Sequence, residues 1–353
     1  MGSRANVVVI RHGRRRVYFN QWVAQDMDRY VFWGPQHLLD IMEDEDWDNA
    51  AEGDPDEVDL WLDDIWAEGG CCIDFDRRHV LLYGGEDIEC DVLWIETYLR
   101  LLGYTWPGWS AEWSWGKLAQ IAEYAGVTGA RLDEIGRSTT YMPPEQHLDR
   151  YVESSLRLLD LDYRPCGAST LSATVDGMSR VAFTSEEWPT AWLYIGDYVE
   201  KALHRLADGP LRYEGDLFIM GGVHIDYDAR EILIWRVYDN NFRIELTGYW
   251  DGWRLRDFGP DYRGYYRAVP HVIDFKPKTD YYYVGRALNW VAGSRGDAGE
   301  DPEACDLKDS IRLCRSMPAM GRQWLPEDAS ELLMAALEGY LRDNPHPHQL
   351  PAL

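Results

Sequence analysis

GGCCIDFDRRHVLL at residues 69–82 and GGVHIDYDAREILI at residues 221–234 are two versions of one segment within the same chain. They align without gaps over fourteen positions, and seven of these positions are identical. Each version has an apolar run, a pair of aspartates and a second apolar run, which is the pattern of a β-hairpin. The segment therefore predicts the hairpin Cys71–Phe75 and His79–Tyr83, and the same hairpin again from Val223 to Val237.

The similarity extends on both sides of this segment and keeps its order, which indicates internal repetition. Upstream, RRVYFNQW ending at Trp22 resembles SRVAFTSEEW ending at Trp188. Downstream, Gly103, Trp106, Gly108 and Trp109 correspond to Gly248, Trp250, Gly252 and Trp253. We therefore expect two related units, residues 1–150 and 165–295, followed by a C-terminal helical extension at residues 302–345.

Both units are expected to be α+β, with antiparallel hairpins packed against helices. The first unit should add a hairpin formed by Ala5–Ile10 and Arg16–Phe19. The periodicity of apolar residues and the Pro and Gly positions predict the helices of this unit to be Trp33–Met42, Val58–Trp66, Leu93–Leu102 ending at Gly103, and Leu118–Ala125 ending at Gly126. The remaining predictions are the strands Ala173–Val175, Arg180–Phe183 and Leu217–Ile219 and the helices Ile195–Leu206 and Pro326–Leu341.

The charge of the chain is large and uneven. The 353 residues include 35 Lys and Arg against 61 Asp and Glu, which gives a formal charge of −26. No Lys or Arg occurs from Tyr30 to Asp76, a range that holds sixteen carboxylates. This negative field disfavours direct nucleic-acid binding through the acidic face and favours a basic protein partner, although a solvated surface would also explain it. The candidate binding residues are Asp44, Glu45, Asp46, Asp48, Asp56, Asp59, Asp63 and Asp64.

The sequence has no apolar run near the roughly 20 residues that a membrane helix needs, so we expect no membrane association and a cytoplasmic location. Six cysteines without C-x-x-C spacing indicate neither a disulfide framework nor a zinc site. The Gly-Gly pairs precede strands and lack the context of a phosphate-binding loop. We therefore expect no cofactor.

The paired aspartates are the sharpest candidates for catalysis. Asp74 with Asp76, and Asp226 with Asp228, stand two residues apart, so each pair can share one face of a strand and serve metal or acid–base chemistry. Aspartate is equally typical of turns, where its side chain accepts backbone N–H bonds. The turn interpretation is favoured because a repeated position more often serves folding than catalysis.

Clustered tryptophan is the second candidate. WPGWSAEWSW places Trp106, Trp109 and Trp113 close together, and such rings can hold a sugar or a cation. Packing is the favoured explanation, since Trp109 recurs as Trp253 in the second unit.

The opening residues MGSRANVVVIRHGRRRVYFNQW resemble the start of uncharacterised bacterial and phage proteins. Those proteins begin Met-Gly-x-Arg-Ala and continue with a short strand, a Tyr and a Trp. The matching residues here are Gly2, Arg4, Ala5, Asn6, Tyr18 and Trp22. The resemblance suggests an actinobacterial relative and implies no activity.

The leading hypothesis is a soluble acidic binding protein of the immunity or inhibitor type that engages a basic protein. The alternatives are a metal-assisted hydrolase or transferase that uses the paired aspartates, and a carbohydrate- or cation-binding module that uses the tryptophans. The chain has no complete catalytic motif, which leaves open whether it is an enzyme.

Overall fold

The structure is a computed structural model in which two compact units can be distinguished. One unit comprises residues 1–136 and 279–350, and the other residues 137–278 and 351–353. The residues it describes are 3–43, 48–50, 67–85, 88–126, 168–184, 191–194, 200, 207–208, 211–213, 219–237, 244, 246, 248–269, 273–275, 280–293 and 325–344.

The first unit is built on a six-stranded mixed sheet with the order β3-β2-β1-β4-β5-β6. Neighbours β1 and β2, β2 and β3, and β4 and β5 are antiparallel, whereas β1 and β4, and β5 and β6, are parallel. The central strands β1 and β4 are buried along most of their length, as expected for strands covered on both faces. The strands are β1 Arg4–Arg11, β2 Arg14–Asn20, β3 Asp48–Ala50, β4 Ala67–Asp74, β5 His79–Tyr83 and β6 Ser110–Trp113.

Three of the four helices described here in the first unit, α2, α3 and α4, follow from local sequence signals. Pro35 opens α2 in its first turn. Asp91 caps α3 by accepting hydrogen bonds from the backbone N–H groups of Leu93 and Trp94. Gly126 ends α4 in the left-handed conformation at φ 69°. The helices are α1 Met27–Phe32, α2 Pro35–Met42, α3 Val92–Thr105 and α4 Lys117–Ala125.

The second unit contains a six-stranded sheet with the order β13-β12-β11-β7-β8-β9, which repeats the order of the first sheet when read from the other edge. A separate two-stranded parallel sheet pairs β10 with β14. The described elements are β7 Ala168–Val175, β8 Met178–Thr184, α5 Ala191–Tyr194, β9 Ala207–Asp208, β10 Leu211–Tyr213, β11 Ile219–Asp226, β12 Glu231–Arg236, β13 Arg254–Asp257, α6 Tyr262–Ala268 and β14 Ile273–Phe275.

The registers of the two sheets also coincide. Val8 on β1 pairs with Cys72 on β4, and Ser172 on β7 pairs with His224 on β11. Both parallel pairs shift register at their first residues. Every position of one central strand pair therefore has a counterpart in the other, and the mixed α+β class expected from the sequence is confirmed.

The repeated Gly-Gly pairs lie inside β4 and β11, where the neighbouring strand approaches closely. A Cβ on Gly70 would lie 2.6 Å from the backbone oxygen of Asn6, and a Cβ on Gly222 would meet Thr170 Oγ1. Glycine is thus required by contact with the partner strand, which agrees with a structural role for these pairs.

Two C-terminal helices, α7 Asp280–Val291 and α8 Ala329–Asp343, pack against α3 in the first unit. Residues 165–295 were expected to form the second unit, but the contacts of α7 group this helix with the first unit. Arg29 of α1 lies 3.7 Å over the ring of Trp290, and Arg286 lies 3.9 Å over Trp94. Such cation–π contacts fix α7 to α1 and α3. None of the described helices is long and apolar enough to span a membrane.

Some predicted elements differ from the structure. Helix α3 continues through Gly103 to Thr105, because this glycine adopts ordinary helical geometry with open space beside it. Of the strand predicted at Leu217–Ile219, the structure describes only Ile219, which begins β11 and is continuous with the strand predicted from Val223. The edge strands β6 and β13 were not predicted. The helix Val58–Trp66, and all but residue 200 of the helix Ile195–Leu206, lie outside the described residues.

Candidate functional site

The paired aspartates do not face each other as a metal site would require. Asp76 instead reaches the turn between β1 and β2, where its two carboxylate oxygens accept hydrogen bonds of 2.7 Å from the backbone N–H groups of His12 and Gly13. The parallel pairing of β1 and β4 places these two turns side by side. Hydrogen bonds from Gly13 and His12 lower the pKa of Asp76.

The second unit repeats this arrangement. The carboxylate of Asp228 accepts hydrogen bonds from the backbone N–H groups of Asp176, at 3.0 Å, and Gly177, at 2.8 Å. Asp176 has a φ of 52° and His12 a φ of 53°, so both turns have the left-handed geometry of tight hairpins. In each unit, one aspartate therefore braces the turn of the neighbouring hairpin.

The other aspartate of each pair serves its own turn. Asp74 is buried, and its Oδ1 accepts hydrogen bonds from the backbone N–H groups of Asp76 and Arg77. Its Oδ2 accepts a 2.9 Å bond from the hydroxyl of Tyr124. Asp226 likewise accepts a bond from Ala229 N. Within the described part of the chain, no group of three or more His, Cys, Asp or Glu side chains is placed to hold a metal ion.

The predicted tryptophan cluster is largely engaged in packing. Trp106 is 1% exposed and donates from Nε1 to the backbone oxygen of Val31. Trp113 is also buried, whereas Trp109 is partly exposed and stands edge-on to Phe75 with ring centroids 5.2 Å apart. The second unit repeats these contacts, with Trp250 donating to Leu193 O and Trp253 standing edge-on to Tyr227.

The predicted acidic binding residues lie almost wholly outside the described residues. The structure describes Asp48 as part of the backbone of β3, the edge strand that pairs with β2. The others, Asp44, Glu45, Asp46, Asp56, Asp59, Asp63 and Asp64, fall in residues 44–47 and 51–66. The residues that we call the acidic segment, 40–64, therefore include a short strand at the edge of the first sheet.

Sequence reasoning missed a buried polar layer in the second unit, formed by Thr170, Ser172, Thr174 and His224. Ser172 Oγ lies 2.8 Å from His224 Nδ1, and Thr174 Oγ1 lies 3.3 Å from His224 Nε2. Burial lowers the pKa of His224 to about 4, although Asp226 acts in the opposite direction. The imidazole is therefore neutral near pH 7.

The polar layer is not a requirement of the fold. The first sheet has Asn6, Val8, Ile10 and Cys72 at the four corresponding positions, and all but Asn6 are apolar or weakly polar. The only sequence signal was the alternation of Ser and Thr along residues 169–174. The alternation alone does not identify a polar layer, because the layer depends on the pairing of β7 with β11, which brings His224 beside Ser172.

A buried carboxyl group in the first unit was also missed. Asp28 is 0% exposed, and its Oδ2 accepts a 2.6 Å bond from Trp290 Nε1. Its Oδ1 has no hydrogen-bond partner among the described residues. Burial raises the pKa of Asp28 to about 8, although the neighbouring Arg29 acts to lower it. Nothing in the sequence placed residue 28 beside residue 290.

Comparisons with known proteins give no further assignment. No protein-family model, no curated protein and no solved structure matches this chain.

Proposed function

We propose that the protein is an acidic binding protein that engages a basic protein partner through the acidic segment, in the manner of an immunity or inhibitor protein. The observation that carries the proposal is a difference between equivalent connections of the two sheets. Residues 51–66 join β3 to β4 and hold seven carboxylates without Lys or Arg. The equivalent residues 209–218, which join β9 to β11, hold two carboxylates and one arginine.

This difference supports a role for the charge beyond folding. A sheet of the same strand order forms in the second unit without the acidic connection. Concentrated like charge opposes compaction, so selection for folding alone gives no reason to gather it in one connection. A partner surface of opposite charge gives such a reason, because electrostatic steering speeds association.

Two other features support a binding role over metal-dependent catalysis. The four paired aspartates accept hydrogen bonds from hairpin backbone or Tyr124, and Trp106 and Trp113 are buried in the first unit. Both sets of repeated residues thus have roles in the fold.

We also infer that the two units descend from one duplicated ancestor, because strand order, register and turn bracing recur together.

The test is capture of partners from host lysate by the tagged full chain at about 50 mM and about 300 mM salt, since exposed charge pairs are screened as salt rises. A variant with Asp56, Asp59, Asp63 and Asp64 of this connection changed to Asn should lose a basic protein that the wild type captures at low salt. The matched control changes four exposed carboxylates elsewhere, Glu123, Asp251, Glu331 and Glu338. Equal capture by all three proteins would rule out the acidic segment as the binding surface.

A second candidate function is an enzyme, and the contact between Ser172 and His224 favours it. A serine hydroxyl 2.8 Å from a neutral imidazole nitrogen has the geometry of a nucleophile and its general base. Ser172 is 1% exposed, so a substrate would need that face of the sheet to open. A fluorophosphonate probe should label the wild type and Ser179→Ala but not Ser172→Ala. Absence of labelling in the wild type would remove this candidate.

A further inference from the structure

The hairpin turns of the first sheet bring four exposed arginines to one end of the sheet. Arg11 and Arg14 flank the turn between β1 and β2, and Arg77 and Arg78 lie in the turn between β4 and β5. Asp76 holds the two turns together through its bonds to His12 and Gly13. We call these four arginines the basic tip.

The arginines of the basic tip are not needed to form the turns. The corresponding positions of the second unit are Val175, Met178, Ala229 and Arg230, so three of the four are neutral there. The equivalent end of the second sheet has Asp228 in the position of Asp76, and it accepts the equivalent hydrogen bond. The backbone is left-handed at both turns, with φ of 52° at Arg78 and 51° at Arg230. The two units therefore have turns of the same backbone geometry, but only the first unit has arginine at all four of these positions.

Most of this charge is available to a ligand. Within the described part of the chain, Arg14 and Arg78 form no ion pair closer than 4 Å, and Arg77 lies 3.9 Å from Asp74 with a 69% exposed side chain. Arg11 lies 5.4 Å from the ring centroid of Phe75. Asp76, the exposed carboxylate among these turns, directs both oxygens at backbone N–H groups.

Aromatic rings accompany the arginines. Phe75 and Trp109 are both partly exposed and stand edge-on to each other beside Arg11. Planar guanidinium groups bind phosphate in a bidentate manner, and partly exposed rings can stack on unpaired bases. The same ring pair occurs in the second unit as Tyr227 and Trp253, but only in the first unit do four arginines surround it. A single-stranded nucleic acid places a planar base next to each phosphate and can therefore use both the arginines and the rings, whereas a run of acidic residues uses the arginines alone.

We propose that the basic tip binds single-stranded nucleic acid, with phosphates on the arginines and bases against Phe75 and Trp109. The negative charge of the whole chain does not prevent this, because the screening length is about 8 Å at physiological salt and the ligand responds to the charges nearest to it. The proposal concerns different residues from those of the acidic segment and does not depend on the basic protein partner.

The experiment measures binding of a fluorescent oligonucleotide of about 20 nucleotides to the full chain by anisotropy, from about 50 to 200 mM salt. A variant with Arg11, Arg14, Arg77 and Arg78 changed to Gln should bind at least about tenfold more weakly at low salt. Because each phosphate contact on a single strand contributes about 0.7 to the slope of log affinity against log salt, that slope should fall by about 3.

The matched control removes the same charge elsewhere, at the exposed Arg254, Arg256, Arg267 and Arg342. It should bind like the wild type, and circular dichroism should show that both variants are folded. In the second unit, Met178→Arg with Ala229→Arg rebuilds part of the basic tip and should strengthen binding.

Several results would overturn the proposal. They are a wild type that does not bind at low salt, equal losses in the tip and control variants, and a preference for duplex over single strand. Displacement of the oligonucleotide by polyglutamate as readily as by a polynucleotide of equal charge would also overturn it, because it would indicate an acidic protein ligand.

Discussion

The carboxylate of Asp76 accepts a 2.7 Å hydrogen bond from the backbone N–H of Gly13, a residue 63 positions earlier in the chain. Asp228 makes the equivalent bond to Gly177 at 2.8 Å. Charge-assisted bonds to backbone N–H groups are stronger than neutral ones. These aspartates therefore connect hairpins that are distant in sequence, and each sheet contains one such connection.

Removing the hydrogen bonds that Asp76 and Asp228 accept from the neighbouring turns should destabilise each unit. We expect Asp76→Ala and Asp228→Ala to lower the Tm by a few degrees in thermal unfolding, and Asp76→Asn to have a smaller effect because an amide oxygen still accepts one bond. The exposed Asp251→Ala is the control. Since the pKa of Asp76 is lowered in the folded state, its contribution should be present at neutral pH and lost as the pH falls below about 4. An unchanged Tm in both alanine variants would contradict the bracing role.

Two glycines should respond to alanine in opposite directions. Gly70→Ala places a methyl group against the backbone oxygen of Asn6 and should reduce the free energy of unfolding by about 1–3 kcal/mol. Gly103→Ala, inside α3 with no atom beyond the surrounding helix backbone within 4 Å of the new Cβ, should increase it by about 0.5–1 kcal/mol through helix propensity. Urea denaturation measures both values. The same sign for both substitutions would show that the packing assigned to one of these sites is wrong.

The buried Asp28 should make the first unit less stable as the pH rises. Its pKa is about 8 in the folded state against 3.8 ordinarily, so the folded state holds a proton that the unfolded state has lost between about pH 4 and pH 8. The free energy of unfolding should therefore fall across this range. Asp28→Asn should flatten the decline and exceed the wild type in stability at pH 8, as measured by urea denaturation at several pH values. Parallel curves for variant and wild type would mean that Asp28 is ionised in the folded protein.

His224 should make the second unit more stable as the pH rises, which is the opposite of the effect expected from Asp28. Its pKa is about 4 in the folded state against 6.5 ordinarily, so between these values the unfolded state binds the extra proton. Stability should then rise by about 3 kcal/mol from pH 4 to pH 6.5. Replacing Ser172 with Val and His224 with Cys, the residues of the first sheet, should remove this rise without leaving a buried hydroxyl unpaired. Histidine titration followed by NMR would measure the pKa directly, and a value near 6.5 would refute the expectation.

Much of the fold could be predicted because its signals are local. The hairpins that include Asp74 and Asp226 follow from apolar runs around a turn, and α2 and α4 follow from Pro35 and Gly126. The α3 boundary at Gly103 was wrong because glycine lowers helix propensity without forbidding a helix. The edge strands β6 and β13 have only four residues each, SAEW and RLRD, and are too short to show a period.

The candidate sites were less predictable because they depend on pairing between distant segments. The sequence indicated that Asp76 serves a turn, but not that the turn belongs to another hairpin. The contact of Ser172 with His224 and that of Asp28 with Trp290 join residues separated by 52 and 262 positions. Arg11 and Arg77 were visible in the sequence, yet only the parallel pairing of β1 with β4 places them at one end of a sheet.

The parallel pairing of β1 with β4 has a consequence for folding kinetics. Ala5 pairs with Gly69, so the central pair of the first sheet can form only after the whole connection between them, including the acidic segment, has closed into a loop. Repulsion among the carboxylates opposes that closure, in addition to its entropic cost, and salt weakens the repulsion. The second sheet closes Ser169 onto Gly221 through a connection with far less charge. Added salt should therefore accelerate the folding of the first unit more than that of the second.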